Sequence, residues 1–296
     1  MEQNKLLGRL YLNVVKGLNA LDRICLDDVL NGDILPSCFS RTLVEQLVKK
    51  KFNPEAWTPE NWLETAKHEL KYYEQHTVHV LSFFDEAYPV LLRETARPPY
   101  LLFVKGNFSI LNTKCLTIVG TRYPTGLGFK TAHHIAQCAV RHGITVVSGL
   151  ARGIDTASHI GAVEGSGYTI AVLGSGIDYL YPAANKGIAQ KILATGGALI
   201  SEYHCGIKPG KYTFPERNRI LAGLAYTTVV VEAPVGSGAL ITTDYAIEEG
   251  REVYVSGHCL NSIRAEGCRK LHEDGAGLLY SIEEILELYN ETTLLV

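Results

Sequence analysis

No apolar run in this 296-residue chain reaches the roughly 18 residues that a bilayer-spanning helix needs. The opening Met1-Glu2-Gln3-Asn4-Lys5 also lacks the charged-then-apolar order of a secretory signal. The expected setting is therefore the cytosol, with no membrane contact. No two of the seven cysteines (Cys25, Cys38, Cys115, Cys138, Cys205, Cys259 and Cys268) stand at C-x-x-C spacing, which argues against a zinc site and a disulfide framework and leaves ordinary reduced thiols. Repeats and low-complexity segments are missing as well. What is present, 46% hydrophobic and 20% charged residues, excludes a disordered or fibrous chain and suffices for one large domain or two smaller ones.

The net charge of −3 conceals an uneven distribution. Residues 1–95 carry 11 basic and 14 acidic side chains, residues 96–219 carry 13 and 5, and residues 220–296 carry 4 and 12. A basic middle and an acidic end suit one surface for a polyanion and another for a different partner. The plainer alternative is that neighbouring segments of opposite sign meet across the fold.

Residues 1–75 show helical spacings, such as Leu43, Leu47 and Val48 or Trp62, Ala66 and Leu70, and predict a small helical domain. Within it, Val14-Val15-Lys16-Gly17-Leu18-Asn19-Ala20-Leu21 reads as a helix, a glycine turn and a second helix, more simply structural than backbone-binding. Short β-rich runs at 78–81 and 100–104 then lead to a domain junction near residue 95, dividing the chain into 1–95 and 96–296. Beyond it, apolar runs at 116–119, 145–147, 169–173, 198–200, 227–231 and 252–255 alternate with helical stretches. That rhythm predicts an α/β fold with a doubly wound, mostly parallel, Rossmann-like sheet.

The loops after these strands are rich in glycine: Gly120-Thr121-Arg122, the 149–153 loop from Gly149 to Arg152 and Gly153, Gly174-Ser175-Gly176, and Gly236-Ser237-Gly238. At the carboxyl edge of a parallel sheet such loops present backbone N–H groups and helix N-termini to an anion, here with Arg122 and Arg152 interleaved. The P-loop order is absent, and Arg122 stands where a second glycine of G-x-G-x-x-G admits a pyrophosphate, so no nicotinamide cofactor is expected. A second cluster places Lys208, Lys211, Arg217 and Arg219 around Phe214, Pro215 and Asn218. Pro215 suits the first turn of a helix with Phe214 just outside it. Cations beside an exposed ring fit a single-strand binder. The structural alternative makes Phe214 a hydrophobic staple and pairs at least one arginine with Glu202 or Glu232.

Catalytic readings find less support. Asp155 and His159 stand four apart, but Asp155 more simply caps a helix; Glu202 and Glu232 follow strands without a recognisable nucleophile or oxyanion site. No H-E-x-x-H or G-x-S-x-G signature occurs. No catalytic residue, metal ligand or cofactor is assigned.

Three stretches carry a resemblance: Ile118-Val119-Gly120-Thr121-Arg122, Val147-Ser148-Gly149-Leu150-Ala151-Arg152-Gly153-Ile154-Asp155 and Phe214-Pro215-Glu216-Arg217-Asn218-Arg219-Ile220. With Val231-Glu232-Ala233, the 237–242 stretch and Asp274-Gly275-Ala276, they resemble the DprA/Smf family of DNA-processing proteins in family order over about 80–282. The resemblance implies a non-enzymatic protein that binds incoming single-stranded DNA during natural transformation and loads RecA onto it. It implies a sterile-alpha-motif-like N-terminal domain. Arg122, Lys211, Arg217 and Arg219 would line the DNA groove, with the 149–153 loop near a phosphate and Gly120, Asn218, Ser237 and Gly238 around them. Ala183 replaces the basic residue that often follows the Tyr-Pro pair, with Lys186 as its substitute, and Val255-Ser256-Gly257 replaces a Val-Pro-Gly. A homodimer would form through 267–279, involving Leu271, His272 and Leu278, and no C-terminal winged-helix domain is expected. The alternatives are a LOG-like nucleotide phosphoribohydrolase, whose catalytic glutamate has no counterpart at the required spacing after Gly238, and a pure interaction adaptor.

Overall fold

The computed structural model describes residues 2–30, 34 and 39–291. Cys38 lies outside them; the other six cysteines are free thiols. In chain order the elements are α1 (Glu2–Val14), α2 (Ala20–Leu30), α3 (Arg41–Val48), α4 (Pro59–Gln75), β1 (Val78–Ser82), α5 (Val90–Arg93), β2 (Leu101–Gly106), β3 (Cys115–Val119), α6 (Gly126–Arg141), β4 (Thr145–Ser148) and α7 (Ile154–Glu164). They continue with β5 (Thr169–Val172), α8 (Lys186–Ala194), β6 (Ala198–Ser201), α9 (Thr213–Gly223), β7 (Thr227–Val230), α10 (Gly238–Glu248), β8 (Glu252–Ser256), α11 (Glu266–Glu273), β9 (Gly277–Leu279) and α12 (Leu286–Glu291).

The strands form one sheet in the order β1-β2-β6-β5-β4-β3-β7-β8-β9. From β6 to β9 all neighbours are parallel, whereas β1 pairs antiparallel to β2, and β2 to β6. Strands β3 to β7 are buried at every position, as a sheet covered by helices on both faces demands, and this explains why they read as continuous apolar or threonine-containing runs. The mostly parallel, Rossmann-like sheet expected from the sequence is therefore present. The three-residue, half-buried β9 was not anticipated.

The chain order turns back between β3 and β7: β4, β5 and β6 lie on one side of β3, and β7, β8 and β9 on the other. A parallel sheet leaves a crevice beyond its strand ends at such a switch point. Helix α9 crosses from one wing to the other and buries Ile220 and Leu221 in the core that also holds Val119, Val172 and Val230.

The helices before residue 76 bury an aromatic core in which Tyr11 packs edge-on against Phe39 and Trp57 against Trp62. Gly17 lies in the turn between α1 and α2, as the sequence suggested. This helical layer rests on the sheet, where Tyr73 stacks on Phe103 of β2 with centroids 4.9 Å apart. A buried polar contact fastens the two. Arg9 of α1 donates to Asp27 of α2 at 3.0 Å and to Asp85 beyond β1 at 2.8 Å, while the hydroxyl of Tyr100 also donates to Asp27. Removing one partner of a buried pair strands the other charge. Arg9→Met is therefore expected to cost roughly 3–5 kcal/mol, read as a lowered urea midpoint; an unchanged midpoint would show the pair to be energetically idle.

Candidate nucleic-acid interface

A cavity of about 630 Å³ opens at the switch point. Its walls come from the loop after β3 (Gly120, Thr121, Arg122, Tyr123), the start of α9 (Phe214, Arg217, Asn218), Lys211 before it, and the start of α10 (Ser237, Gly238). A smaller notch of about 160 Å³ adjoins it, sharing Arg122, Tyr123, Ala151 and Phe214 and adding Gly149, Arg152, Tyr181 and Pro182. The fold thus brings Arg122, Lys211 and the 149–152 turn, distant in sequence, to one rim.

The cations divide into two kinds. Arg122, Arg152 and Lys211 are exposed and face these openings. The guanidinium of Arg122 stands 5.6 Å from the ring centroid of Phe214, so charge and π-face share one ledge. Phe214 is half-buried within the first turn of α9, which begins at Thr213; the expectation that it lies just outside the helix is corrected.

Arg217 and Arg219, by contrast, are spent within the fold. Arg217 is 5% exposed. Its Nη1 donates to the carbonyls of Gly149, at 2.7 Å, and Val172, and its Nε to Asn218 Oδ1 at 3.2 Å. Burial lowers this guanidinium to about 10, although nearby Asp155 opposes the shift. Arg219 pairs with Glu202 and donates to the carbonyl of Arg97 at 2.6 Å. The sequence expectation that at least one of the two is structural, pairing with Glu202 or Glu232, is met by Arg219, which lines neither opening, whereas Arg217 forms part of the cavity floor. Asn218 reinforces that floor by donating to the carbonyl of Gly238 at 3.0 Å.

The glycines serve packing more than anion contact. The amide of Gly149 donates to Asp155 Oδ2 at 3.1 Å and that of Ala151 at 3.2 Å, while the amides of Thr121 and Ile154 go to the carbonyls of Glu232 and Thr121. These four N–H groups are unavailable to a phosphate, contrary to the sequence reading. A Cβ on Gly149 would fall 2.5 Å from Arg217 Nη2, so the position is glycine because a guanidinium occupies the space. Gly153 has φ +78° and lies against the backbone of Thr121 and Arg122, where a Cβ would meet an oxygen at 2.4 Å. Gly120 is similarly pressed against Ile154. Among the glycines assigned to the site, Gly238 offers an exposed backbone at the start of α10, capped by the side chain of Ser237.

Lys186 begins α8, is exposed and lines neither opening. Its neighbour Asn185 does the local work: Nδ2 donates to the carbonyls of Leu150 and Ala151 at 2.8 and 3.0 Å and fixes a turn in which Leu150 takes φ +57°. Asn185 and Tyr123 escaped the sequence reading, because a single asparagine or tyrosine has no spacing signal, and Tyr181 was read only as part of the Tyr-Pro pair. The exposed Tyr123 and Tyr181, at 68% and 47%, add aromatic surface beside Phe214. At the far edge of the sheet, Leu271 and Leu278 pack partly buried on the core while His272 is exposed.

The catalytic candidates are likewise absorbed. Asp155 holds the 149–151 turn, with burial raising its carboxyl above the usual range. Glu232 is fully buried and accepts from Thr125 N and Oγ1 and from Ser262 Oγ. His159 is fully buried, with Nδ1 2.8 Å from Thr169 Oγ1, and burial lowers it to about 3.

The fold and site together define a Rossmann-like protein whose crevice at the sheet's switch point is lined by exposed cations and aromatic rings. The model of the DNA recombination-mediator protein A family matches residues 79–290, and the chain belongs to that family. It is 41% identical over 206 residues to DNA processing protein DprA of Streptococcus pneumoniae, covering 69% of this chain and 72% of that one. It is 40% identical over 221 residues to protein Smf of a Synechocystis strain, of which it spans 55%, covering 73% of this chain. Among solved structures, DNA processing protein A of Streptococcus pneumoniae superposes with a TM-score of 0.79 at 32% identity, covering 95% of this chain and 97% of that one. The Helicobacter pylori protein, whose single-stranded DNA binding mode has been described structurally, gives 0.64 at 26% identity over 73% of this chain and 96% of its own.

Two outcomes follow for stability. Arg217→Met leaves two strand-end carbonyls and Asp155 without their cation and is expected to cost roughly 3–5 kcal/mol, whereas Arg122→Ala leaves the melting temperature within about a degree because it frees an exposed side chain. Differential scanning calorimetry separates them. His159 binds a proton less readily folded than unfolded, so its contribution is complete above about pH 6.5 and is lost as pH falls toward about 3. Stability should decline by up to about 1.4 kcal/mol per pH unit across that window, and His159→Asn should remove this share of the slope in acid titrations of the denaturation midpoint.

Proposed function

We propose that the crevice grips single-stranded DNA and that the protein acts in DNA processing during transformation, delivering the strand to RecA without turning it over chemically. The observation that carries this reading is the shared rim of Arg122, Lys211 and Phe214: two exposed cations and a ring hold phosphates and stack a base without reading sequence. Family membership and the Helicobacter pylori relative's single-strand binding support it. The LOG-like hydrolase alternative needs a glutamate at its motif's spacing after Gly238, where this chain carries Thr242, and Glu232, ahead of that stretch, is buried in hydrogen bonds to Thr125 and Ser262.

In this reading the protein works in the cytoplasm, with 1–95 as an accessory helical domain plus a junction that supplies the edge strand β1, and 96–296 as the DNA-binding domain. A homodimer would use the β9 edge, since β9 ends the sheet and its Leu278 is only partly covered.

Binding of labelled oligo-dT across a salt series tests the function. Log affinity should fall with log salt by roughly 0.7 per neutralised phosphate. Arg122→Ala and Lys211→Ala should each flatten the slope by about one contact, and Phe214→Ala should cost roughly 1–3 kcal/mol with less change in slope. A wild-type protein with no affinity for oligo-dT would end the proposal.

A further inference from the structure

Outside the crevice, α4 turns Trp62, Ala66, Glu69 and Tyr73 inward, and one of these four is a carboxylate. Glu69 is 4% exposed, and among the described residues neither of its oxygens accepts a well-directed hydrogen bond. The atom it meets is Nδ1 of His204, 2.8 Å from Oε1. The same nitrogen lies 3.0 Å from the carbonyl of Cys205. With acceptors on both sides, Nδ1 carries the proton. One turn along α4, the hydroxyl of Tyr73 accepts from the amide of Cys205 at 3.1 Å, and the Tyr73 ring is fixed by its stack on Phe103.

Both contacts fall on the 202–212 segment between β6 and α9, which forms neither helix nor strand and delivers Lys211 to the crevice. Its further anchors lie on the loop after β5, where the amide of Gly206 donates to the Asp178 carboxylate and the carbonyl of Ile207 accepts from Gly176 at 2.8 Å, and on α9, where Glu202 pairs with Arg219 and the amide of Gly210 donates to Thr213 Oγ1 at 2.9 Å. A buried ion pair is poor evidence for added stability, because well-packed apolar side chains do as well, yet it holds a single geometry. An irregular segment bearing a functional lysine needs such a constraint.

We propose that Glu69 and Tyr73 of the helical layer are positioning residues for the crevice: they clamp His204 and Cys205 and so hold Lys211 at the rim. The inference rests on the reading of the crevice as a single-stranded DNA site. It gives the N-terminal helices a part in binding without contact with the ligand.

The clamp has a pH signature. Burial opposes the charge on His204, but the Glu69 carboxylate outweighs it and raises the imidazole above its usual range. The other groups around it are Tyr73 on α4, Arg23 on α2, the adjacent Cys205 and, beyond that, Asp178. The imidazole is charged below its usual range, and the pair is lost as pH rises through the raised value.

The test uses the full chain with Glu69→Gln, Tyr73→Phe and His204→Asn, reading amide hydrogen exchange over 204–211 and oligo-dT affinity. Exchange at Cys205 and onward should quicken, and affinity should fall roughly 3- to 10-fold, with the loss vanishing in a Lys211→Ala background because the coupled residues act as one. As pH rises above the usual imidazole range, wild-type affinity should decline more steeply than that of His204→Asn. Tyr73→Phe removes one hydroxyl and keeps the test valid if the charge variants fail to fold. Unchanged exchange in Tyr73→Phe, or losses that simply add to that of Lys211→Ala, would overturn the clamp. Absence of oligo-dT binding by the wild type would instead overturn the function, while the exchange measurement still decides the clamp.

Discussion

The guanidinium of Arg217 is the contact around which the crevice is assembled. It reaches from α9 to the carbonyls at the ends of β4 and β5, closing on Gly149 and Val172. A carbonyl at the end of a buried strand has no ladder partner left and must find a donor. Arg217 supplies it from the helix that crosses the switch point. The neighbouring Asn218 does the same for the start of α10 through Gly238, so two adjacent side chains tie three strand-end loops together. Asp155, drawn to the same place, takes the amides of Gly149 and Ala151. Charge in this part of the site is spent on the frame.

That expenditure leaves a distinct outer set free for a ligand. Arg122, Arg152 and Lys211 are exposed, and Phe214, Tyr123 and Tyr181 stand beside them. The arrangement separates rigidity from reach: buried hydrogen bonds fix where each loop begins, and the solvated side chains keep their freedom to rearrange. The Glu69–His204 and Tyr73–Cys205 contacts extend the same logic to the segment that carries Lys211. The helical layer and the sheet thus share responsibility for one rim.

Much of the architecture was legible because parallel strands covered on both faces read as near-continuous apolar runs, and five of the six runs beyond the junction, those of β3 to β7, stand out for that reason. Strand β9 was missed because three half-buried residues leave no such trace. The loops that the motifs mark out do come together, and Arg122, Lys211 and Phe214 line one crevice. The motif spacing could not rank the arginines. Arg122, Arg217 and Arg219 look alike in sequence, and only the burial of their surroundings distinguishes an exposed cation from a strut. The same limit hid Asn185, whose single amide holds the Leu150 turn, and Glu69, which occupies an apolar position on α4.

The sequence by itself determined the alternation of short buried strands with helices, the concentration of basic residues in 96–219 and the glycine-bearing loops, since each follows from local chemistry and spacing. Only the tertiary structure decided which amides and cations remained available. The switch between β3 and β7 brings residues about 100 positions apart into one crevice, and there internal carbonyls and carboxylates claim Arg217, Arg219 and the amides of Gly149 and Ala151 first. Hydrogen-bonding groups withdrawn from water must be satisfied within the fold, and that allocation depends on which groups packing brings within about 3 Å of one another.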